Sequence, residues 1–349
     1  MKLLVSALEP SANIHLKELK KHLSDEVEFV GIFDKSLGEP IYDVSDVAVM
    51  GFVDALKKIR FFMNLKKEMV RLAQNVDKVL LMDSSGFNLP LAKELKKTYP
   101  NLEINYYILP QAWAWRQGRI KVIENTCDRL FSILPFEPAY YTKKEKITYV
   151  GHPLLDEIQL YKTTIENTNK IAYMPGSRIS EIKKLIPIFK SVAQQIGKGK
   201  EHILIIPKNF ANKNLDEIYG DISEFSKSFD THSTLYESEF AFICSGTATL
   251  EAAIIGTPFV LAYKAKAFDF FVGTKIFGIT TIGLANIFFE KMDKPHLHKE
   301  LLQIDVNVEN LIQEYSAIDK KIFLQRTVEL REYLQKGSSQ TVARLIENK

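Results

Sequence analysis

Cysteine is scarce in this chain of 349 residues: only Cys127 and Cys244 occur, far apart and each beside a short apolar run. No CxxC or Cys/His spacing surrounds them, which excludes a disulfide framework and a zinc-finger type of site and fits a reducing compartment. Long apolar runs are missing too. The longest, from Ala252 to Tyr263, is broken by Gly256 and Pro258 and is too short to cross a bilayer. The apolar start, Leu3-Leu4-Val5-Ser6-Ala7-Leu8, runs into Glu9 and Pro10 rather than a small-residue cleavage site, so it reads as a buried first strand and not as a signal peptide. A net charge of +3 is too mild to imply nucleic acid, and any basic partner surface must be local. Neither a Walker A loop nor a GxGxxG fingerprint is present, which argues against ATP hydrolysis and dinucleotide redox chemistry.

What is present is a globular composition, 46% hydrophobic and 26% charged, over a length that suits two α/β domains. Short apolar runs alternate with amphipathic stretches, the pattern of βα units stacking a parallel sheet. Expected strands are Lys2–Ala7, Glu28–Phe33, Lys78–Met82, Ile104–Leu109, Arg129–Ile133 and Thr148–Val150, with helices at Ile14–Leu23, Ala55–Ala73 and Leu89–Lys97. The polar stretch from Tyr161 to Lys170 reads as a linker. The alternation restarts after it, with strands at Ile171–Met174, His202–Ile206, Phe240–Cys244 and Phe259–Ala262, helices at Glu181–Gln195 and Thr247–Ile255, and a helical C-terminus. The expected fold is α/β: two Rossmann-like domains, 1–165 and 166–324, facing a central cleft, with ligands at the carboxyl ends of strands.

Two loops carry the chemistry of the second half. In one, an apolar strand ends at Ser245-Gly246-Thr247 and a helix opens at once, so helix-start N–H groups and two hydroxyls are offered to an anion. Glu251, one turn further on, suits ribose hydroxyls. Ordinary capping by Ser or Thr accounts for this segment equally well. The other, Met174-Pro175-Gly176-Ser177-Arg178, again joins strand to helix and adds a guanidinium able to bridge two phosphate oxygens. Two such loops in one domain point to a pyrophosphate.

Gly176-Ser177-Arg178 followed by Ser245-Gly246-Thr247-Ala248-Thr249-Leu250-Glu251 resembles the donor domain of GT-B glycosyltransferases. The stretch Leu109-Pro110-Gln111-Ala112-Trp113-Ala114-Trp115-Arg116-Gln117-Gly118-Arg119 narrows this, together with Leu134-Pro135-Phe136-Glu137, Val150-Gly151-His152-Pro153, Val49-Met50-Gly51-Phe52-Val53-Asp54 and the Ser11/His15 loop. In order and over nearly the whole chain, they resemble the lipid-A-disaccharide synthase family. The resemblance implies an inverting transfer: the 6-hydroxyl of 2,3-diacylglucosamine 1-phosphate attacks UDP-2,3-diacylglucosamine, giving a β-1,6 disaccharide and UDP. It further implies that a C-terminal helix, 325–349, joins the first domain. The donor residues it implies are Gly176, Ser177, Arg178, Ser245, Gly246, Thr247, Glu251 and Asn286. No Asp-x-Asp occurs, consistent with metal-free stabilisation of the leaving diphosphate by Arg178, Ser245, Thr247 and the helix dipole. No cofactor is expected.

The chain departs from the family pattern at the expected base. The family carries an aspartate just before Phe-Asn, whereas this loop reads Asp83-Ser84-Ser85-Gly86-Phe87-Asn88. Asp83 becomes the expected base, with His15 and Glu9 as rivals, and helix capping is the plainer role for a carboxylate there. The first loop lacks the family's glycines and has Asn13 for aspartate, and Leu284-Ala285-Asn286 stands where Leu-Pro-Asn is usual. Ser11, Asn88, Trp115, Arg116 and Arg119 are candidates for the acceptor side; for the tryptophans, domain packing is the alternative. Lys57-Lys58-Ile59-Arg60-Phe61-Phe62-Met63-Asn64-Leu65-Lys66-Lys67 has five lysines and arginines and no acid. On a helix it suits an anionic membrane surface, with Phe61, Phe62 and Met63 entering the acyl boundary, or else a core helix with a solvated basic face. Phe268-Asp269-Phe270-Phe271 suits an acyl path or a core. The expected partners are the two lipid sugars and the cytoplasmic face of the inner membrane, with a homodimer left open and no nucleic acid. Competing readings are another GT-B UDP-sugar enzyme, such as a lipid-linked N-acetylglucosamine transferase or an epimerase, and a catalytically weak nucleotide-sugar or lipid-binding protein.

Overall fold

Strands of a parallel sheet are buried on both faces, so they must be apolar at nearly every position. The runs at Lys2–Ala7 and Lys78–Met82 meet that demand and lie side by side at the centre of the first sheet. The computed structural model describes residues 1–43, 55–115, 117–164, 166–264 and 281–347. The chain forms two units, Met1–Glu157 with Leu334–Lys349, and Ile158–Tyr333.

Unit 1 holds β1 (Lys2–Ala7), β2 (Glu28–Phe33), β3 (Tyr42–Asp43), β4 (Lys78–Met82), β5 (Glu103–Tyr107), β6 (Arg129–Ser132) and β7 (Ile147–Tyr149). Its helices are α1 (Pro10–Lys20), α2 (Ala55–Leu72), α3 (Ser85–Thr98), α4 (Ala112–Trp115), α5 (Gly118–Thr126), α6 (Leu154–Glu157) and, from the C-terminus, α14 (Ser338–Glu347). The sheet order is β3-β2-β1-β4-β5-β6-β7, with every pairing parallel. Alternate side chains of the central strands split between two cores. Leu4, Val79 and Leu81 meet Met69 and Leu95, whereas Leu3, Val5, Leu80 and Met82 meet Leu16, Val342 and Ile346.

Both ends of α14 are satisfied by unit 1. Asp156 accepts from the Gly337 and Ser339 amides at 2.7 and 2.8 Å, at the positive end of the helix. Arg129 and Lys78 donate to the Leu345 and Ile346 carbonyls at 2.6 and 2.7 Å, at the negative end.

Unit 2 holds β8 (Lys170–Met174), β9 (Glu201–Ile205), β10 (Ser226–Ser228), β11 (Phe240–Ile243), β12 (Phe259–Tyr263) and β13 (Glu300–Leu302), in the order β10-β9-β8-β11-β12-β13, again all parallel. Its helices are α7 (Ile179–Ile196), α8 (Leu215–Tyr219), α9 (Thr231–Glu237), α10 (Thr247–Ile255), α11 (Leu284–Lys291), α12 (Val308–Ala317) and α13 (Lys320–Leu334). Tyr173, Phe189, Phe225 and Phe242 form one contiguous aromatic centre; the Tyr173 and Phe242 rings stack at 5.2 Å.

Three strands were not expected from the sequence: β3, β10 and β13. Each lies at a sheet edge, where one side is open and no apolar run is required. The chain passes between the units at Glu157–Ile158 and Tyr333–Leu334, where the sequence suggested 165 and 325. The polar stretch that follows Ile158 is tied to unit 2: the Lys162 amide donates to the Ile255 carbonyl at 2.7 Å, and the Arg331 guanidinium lies 5.2 Å over the Tyr161 ring.

Candidate active site

In unit 1 the strand order reverses direction between β1 and β4, so the loops after these strands diverge and leave a crevice at their carboxyl ends. Asp83 and Ser84 stand there with φ of 48° and 39°. Non-glycine residues enter this left-handed region at a cost of about 1 kcal/mol or more each and stay only where their surroundings over-determine them. Those surroundings are explicit. The Tyr106 hydroxyl donates to the Asp83 carbonyl at 2.6 Å, and the fully buried Asn88 amide donates to the Met82 and Asp83 carbonyls at 2.9 and 3.0 Å. Asn88 is itself oriented by the Ser6 hydroxyl, which donates to its Oδ1 at 2.6 Å. Burial raises the half-buried Asp83 carboxyl above the usual carboxylate range, opposed by the Ser84 amide and by the charge of His15.

Around Asp83 the fold gathers residues from four segments. Ser84 Oγ donates to Glu9 Oε1 at 3.2 Å, and Arg119 of α5 donates to Ser85 Oγ at 3.0 Å. His15 sits on α1 one turn beyond the exposed Ser11 and pairs through Nδ1 with Glu157 Oε1 in a very short contact. His152 lies behind it; burial, then the charge of His15, pushes that imidazole down to about 3, so it is neutral. Gly86 is exposed, and a Cβ built on it would meet nothing within 4 Å. Glu9, His15, Asp83, Asn88 and Arg119 thus converge. Glu157, 142 residues from its partner, could not be found from sequence.

Trp113 packs edge-on against Phe136 at 4.8 Å, with its Nε1 buried and without a hydrogen-bond partner among the described residues. The Trp115 side chain, Arg116, Val49–Asp54, the side chains of Lys57 and Lys58, and the Phe268–Phe271 cluster lie outside the described residues. On α2 the expected membrane-facing trio divides. Consecutive residues project about 100° apart on a helix, and Phe61 and Phe62 turn inward against Tyr42 and Phe87, at 5.4 and 5.8 Å. Met63 stays 53% exposed, and Ile59, one turn earlier, 57%.

In unit 2 the order reverses between β8 and β11. The loop after β8 turns on Gly176, whose φ of 102° favours glycine and where a Cβ would stand 2.6 Å from Glu181 Oε2. Glu181, in the first turn of α7, is buried and accepts from Arg178 Nη1 at 2.8 Å, which aligns a guanidinium whose side chain is 75% exposed. That hydrogen bond, followed by the charge of Glu181, holds Arg178 above its ordinary value. The loop after β11 turns on Gly246 with φ of 145°, leaving Gly246 and Thr247 exposed at the start of α10. Glu251 is largely buried and faces His232 at 3.8 Å. Asn286 is fully buried: its amide donates to the His298 carbonyl and to Glu300 at 3.0 and 2.8 Å and accepts from the Leu297 and His298 amides. The sequence reading missed Glu181 and His232, although an acid three residues after an arginine at a helix start is a legible signal for the first.

Two doubly wound parallel sheets, the second with glycine–hydroxyl loops at the start of its helices, are the architecture of the GT-B fold. Solved structures bear out the fold. The chain is similar to spinosyn rhamnosyltransferase complexed with spinosyn aglycone, with a TM-score of 0.60 at 13% identity, and to the UDP-GlcNAc 2-epimerase of Neisseria meningitidis, with 0.59 at 12%; both matches cover 100% of each chain. The family model described as Lipid-A-disaccharide synthetase matches residues 3–346, and the chain belongs to that family. It is 47% identical to the lipid-A-disaccharide synthase of Helicobacter pylori strain G27 over 98% of this chain and 96% of that protein. It is also 47% identical to the Campylobacter jejuni strain RM1221 enzyme of the same name, over 98% of both. The chain is a glycosyltransferase of lipid A biosynthesis, taking a UDP-sugar donor and a lipid acceptor.

Proposed function

We propose that the chain transfers 2,3-diacylglucosamine, with inversion, from UDP-2,3-diacylglucosamine to the 6-hydroxyl of 2,3-diacylglucosamine 1-phosphate. The observation that carries this reading within the family is the pair of exposed strand-to-helix loops of unit 2, which offer helix-start amides, hydroxyls and an aligned guanidinium to a diphosphate. The acceptor oxygen attacks the anomeric carbon and the bond from that carbon to the diphosphate breaks. The electron pair leaves on UDP, and the hydroxyl proton passes to Asp83. Arg178, Ser245, Thr247 and the α10 dipole offset the charge that develops on the diphosphate. Gly176, Ser177 and Gly246 let it approach, and Glu251 accepts from the ribose. Asn88 and Asn286 hold their loops in place rather than touch substrate. Ser11, Trp115, Arg116 and Arg119 take the acceptor side.

No helix among the described residues is long and apolar enough to cross a membrane. Ile59 and Met63, exposed beside Arg60 and Lys67 on α2, support a peripheral seat on the cytoplasmic face of the inner membrane.

The test is UDP release by purified protein from UDP-diacylglucosamine and diacylglucosamine 1-phosphate, in detergent with EDTA. Acceptor-dependent release under chelation is the expected result. Tight UDP binding with no release would overturn the acceptor assignment.

A further inference from the structure

Arg178 stands where its helix gains nothing from it. It is the N-cap of α7 and makes no capping hydrogen bond. A cap stabilises a helix when its side-chain oxygen accepts from a helix-start amide. A guanidinium only donates, and its charge lies at the positive end of the helix dipole. Glu181, in the first turn of α7, occupies the place of the acid in a capping box, three residues after the cap. Here its Oε1 accepts from Arg178 Nη1 at 2.8 Å. Its Oε2 lies against Gly176, where a Cβ would stand 2.6 Å from it. One carboxylate, with its side chain only 10% exposed, thus touches two residues of the loop after β8. Among the described residues Arg178 has no other ion-pair partner, and its side chain reaches into solvent.

We propose that Glu181 is a positioning residue for the donor, holding the Arg178 guanidinium aligned for the diphosphate before the nucleotide arrives. The inference rests on the proposed reading of Arg178 as the residue that meets the diphosphate. An exposed arginine samples many rotamers, and fixing one of them on binding lowers affinity by roughly twofold to tenfold. Glu181 removes much of that cost, because its contact is already made in the free protein. It takes one of the five N–H donors and leaves the rest of the fork for phosphate oxygens. Its own charge has the sign of the diphosphate's, so it adds no direct attraction for the nucleotide. What it contributes is the alignment.

The experiment is calorimetric titration of UDP and of uridine into the wild-type chain, Glu181→Ala, Glu181→Gln, Arg178→Ala and the double variant Arg178→Ala/Glu181→Ala, with a melting temperature for each. Uridine lacks the diphosphate, so a lesion of the fold lowers both affinities, whereas lost alignment lowers that for UDP alone. Glu181→Ala should weaken UDP binding by roughly fivefold and leave uridine within about twofold. Glu181→Gln keeps an acceptor oxygen at the same reach and should recover most of the loss. On the Arg178→Ala background, Glu181→Ala should have no further effect, since no guanidinium is left to align. The proposal is overturned by unchanged UDP affinity in Glu181→Ala or by an equal loss for uridine. It is overturned as well by a glutamine variant as weak as the alanine one, or by losses that add in the double variant. Failure of the underlying reading shows separately, as UDP affinity that Arg178→Ala leaves unchanged.

Discussion

The loops at the switch point of unit 1 carry carboxylates and an imidazole, whereas those of unit 2 carry glycine, hydroxyls and one arginine. Both stand on the same parallel architecture, at the place where strand order reverses. The chemistry differs because the local backbone differs. In unit 1 two non-glycine residues are held in left-handed conformation by Asn88 and Tyr106, which fixes a half-buried carboxyl in place. In unit 2 the turns are made by Gly176 and Gly246 at positive φ, which leaves room for an anion at a helix start. On the proposed reading the unit 1 loops take the proton and the unit 2 loops take the diphosphate, and single substitutions should separate the two.

The largest effect is expected in unit 1. Asp83→Ala should lower kcat by about 10²–10⁴-fold while UDP affinity stays within about twofold. Steady-state kinetics with calorimetric UDP titration checks this, and a matching loss of UDP affinity would break the comparison. Arg178→Ala should do the converse, weakening UDP binding by about tenfold or more, the worth of a charge-assisted contact; unchanged affinity would remove the guanidinium from the diphosphate.

A smaller effect concerns how each unit stores buried carboxyls. In unit 1, burial pushes Glu137 up to about 8, against one hydrogen bond from Ser132 at 2.5 Å. Its neutral form is therefore favoured by folding, and the associated stability, present at acid pH, is lost as pH rises from the ordinary carboxylate range through about 8. In unit 2, burial of Glu239 is outweighed by Lys200 and Tyr315 at 2.7 and 2.9 Å, which hold it below its ordinary value. Its contribution is present above that ordinary value and lost as pH falls through the lowered one. Glu137→Gln should therefore stabilise the fold at pH 8, by on the order of a few kcal/mol, and less at pH 5. Melting temperatures at the two values test the sign; equal gains would refute it. The smallest effect should fall on α2. Ile59→Ser with Met63→Ser should reduce partitioning onto anionic vesicles by about threefold to tenfold without altering turnover in detergent, and unchanged sedimentation would remove this face from the membrane.

The central strands β1, β4, β8, β11 and β12 were legible because strands buried on two faces require unbroken apolar runs. The edge strands β3, β10 and β13 were not, because one open side removes that requirement. The phosphate-type loops were legible for a related reason: Gly176 and Gly246 answer to backbone conformations that few other residues accept. The direction of Phe61 and Phe62 was not, since a basic amphipathic stretch reads alike on a membrane and on a core.

By itself the sequence determined the α/β class, the two units, the positions of the switch-point loops and the family, because each is written in local periodicity or in contiguous motifs. Only the tertiary structure decided which groups meet. The Glu157 carboxylate against His15, the Tyr106 hydroxyl under Asp83 and the neutral state of Glu137 all depend on burial and on contacts between distant segments, and no local pattern encodes these.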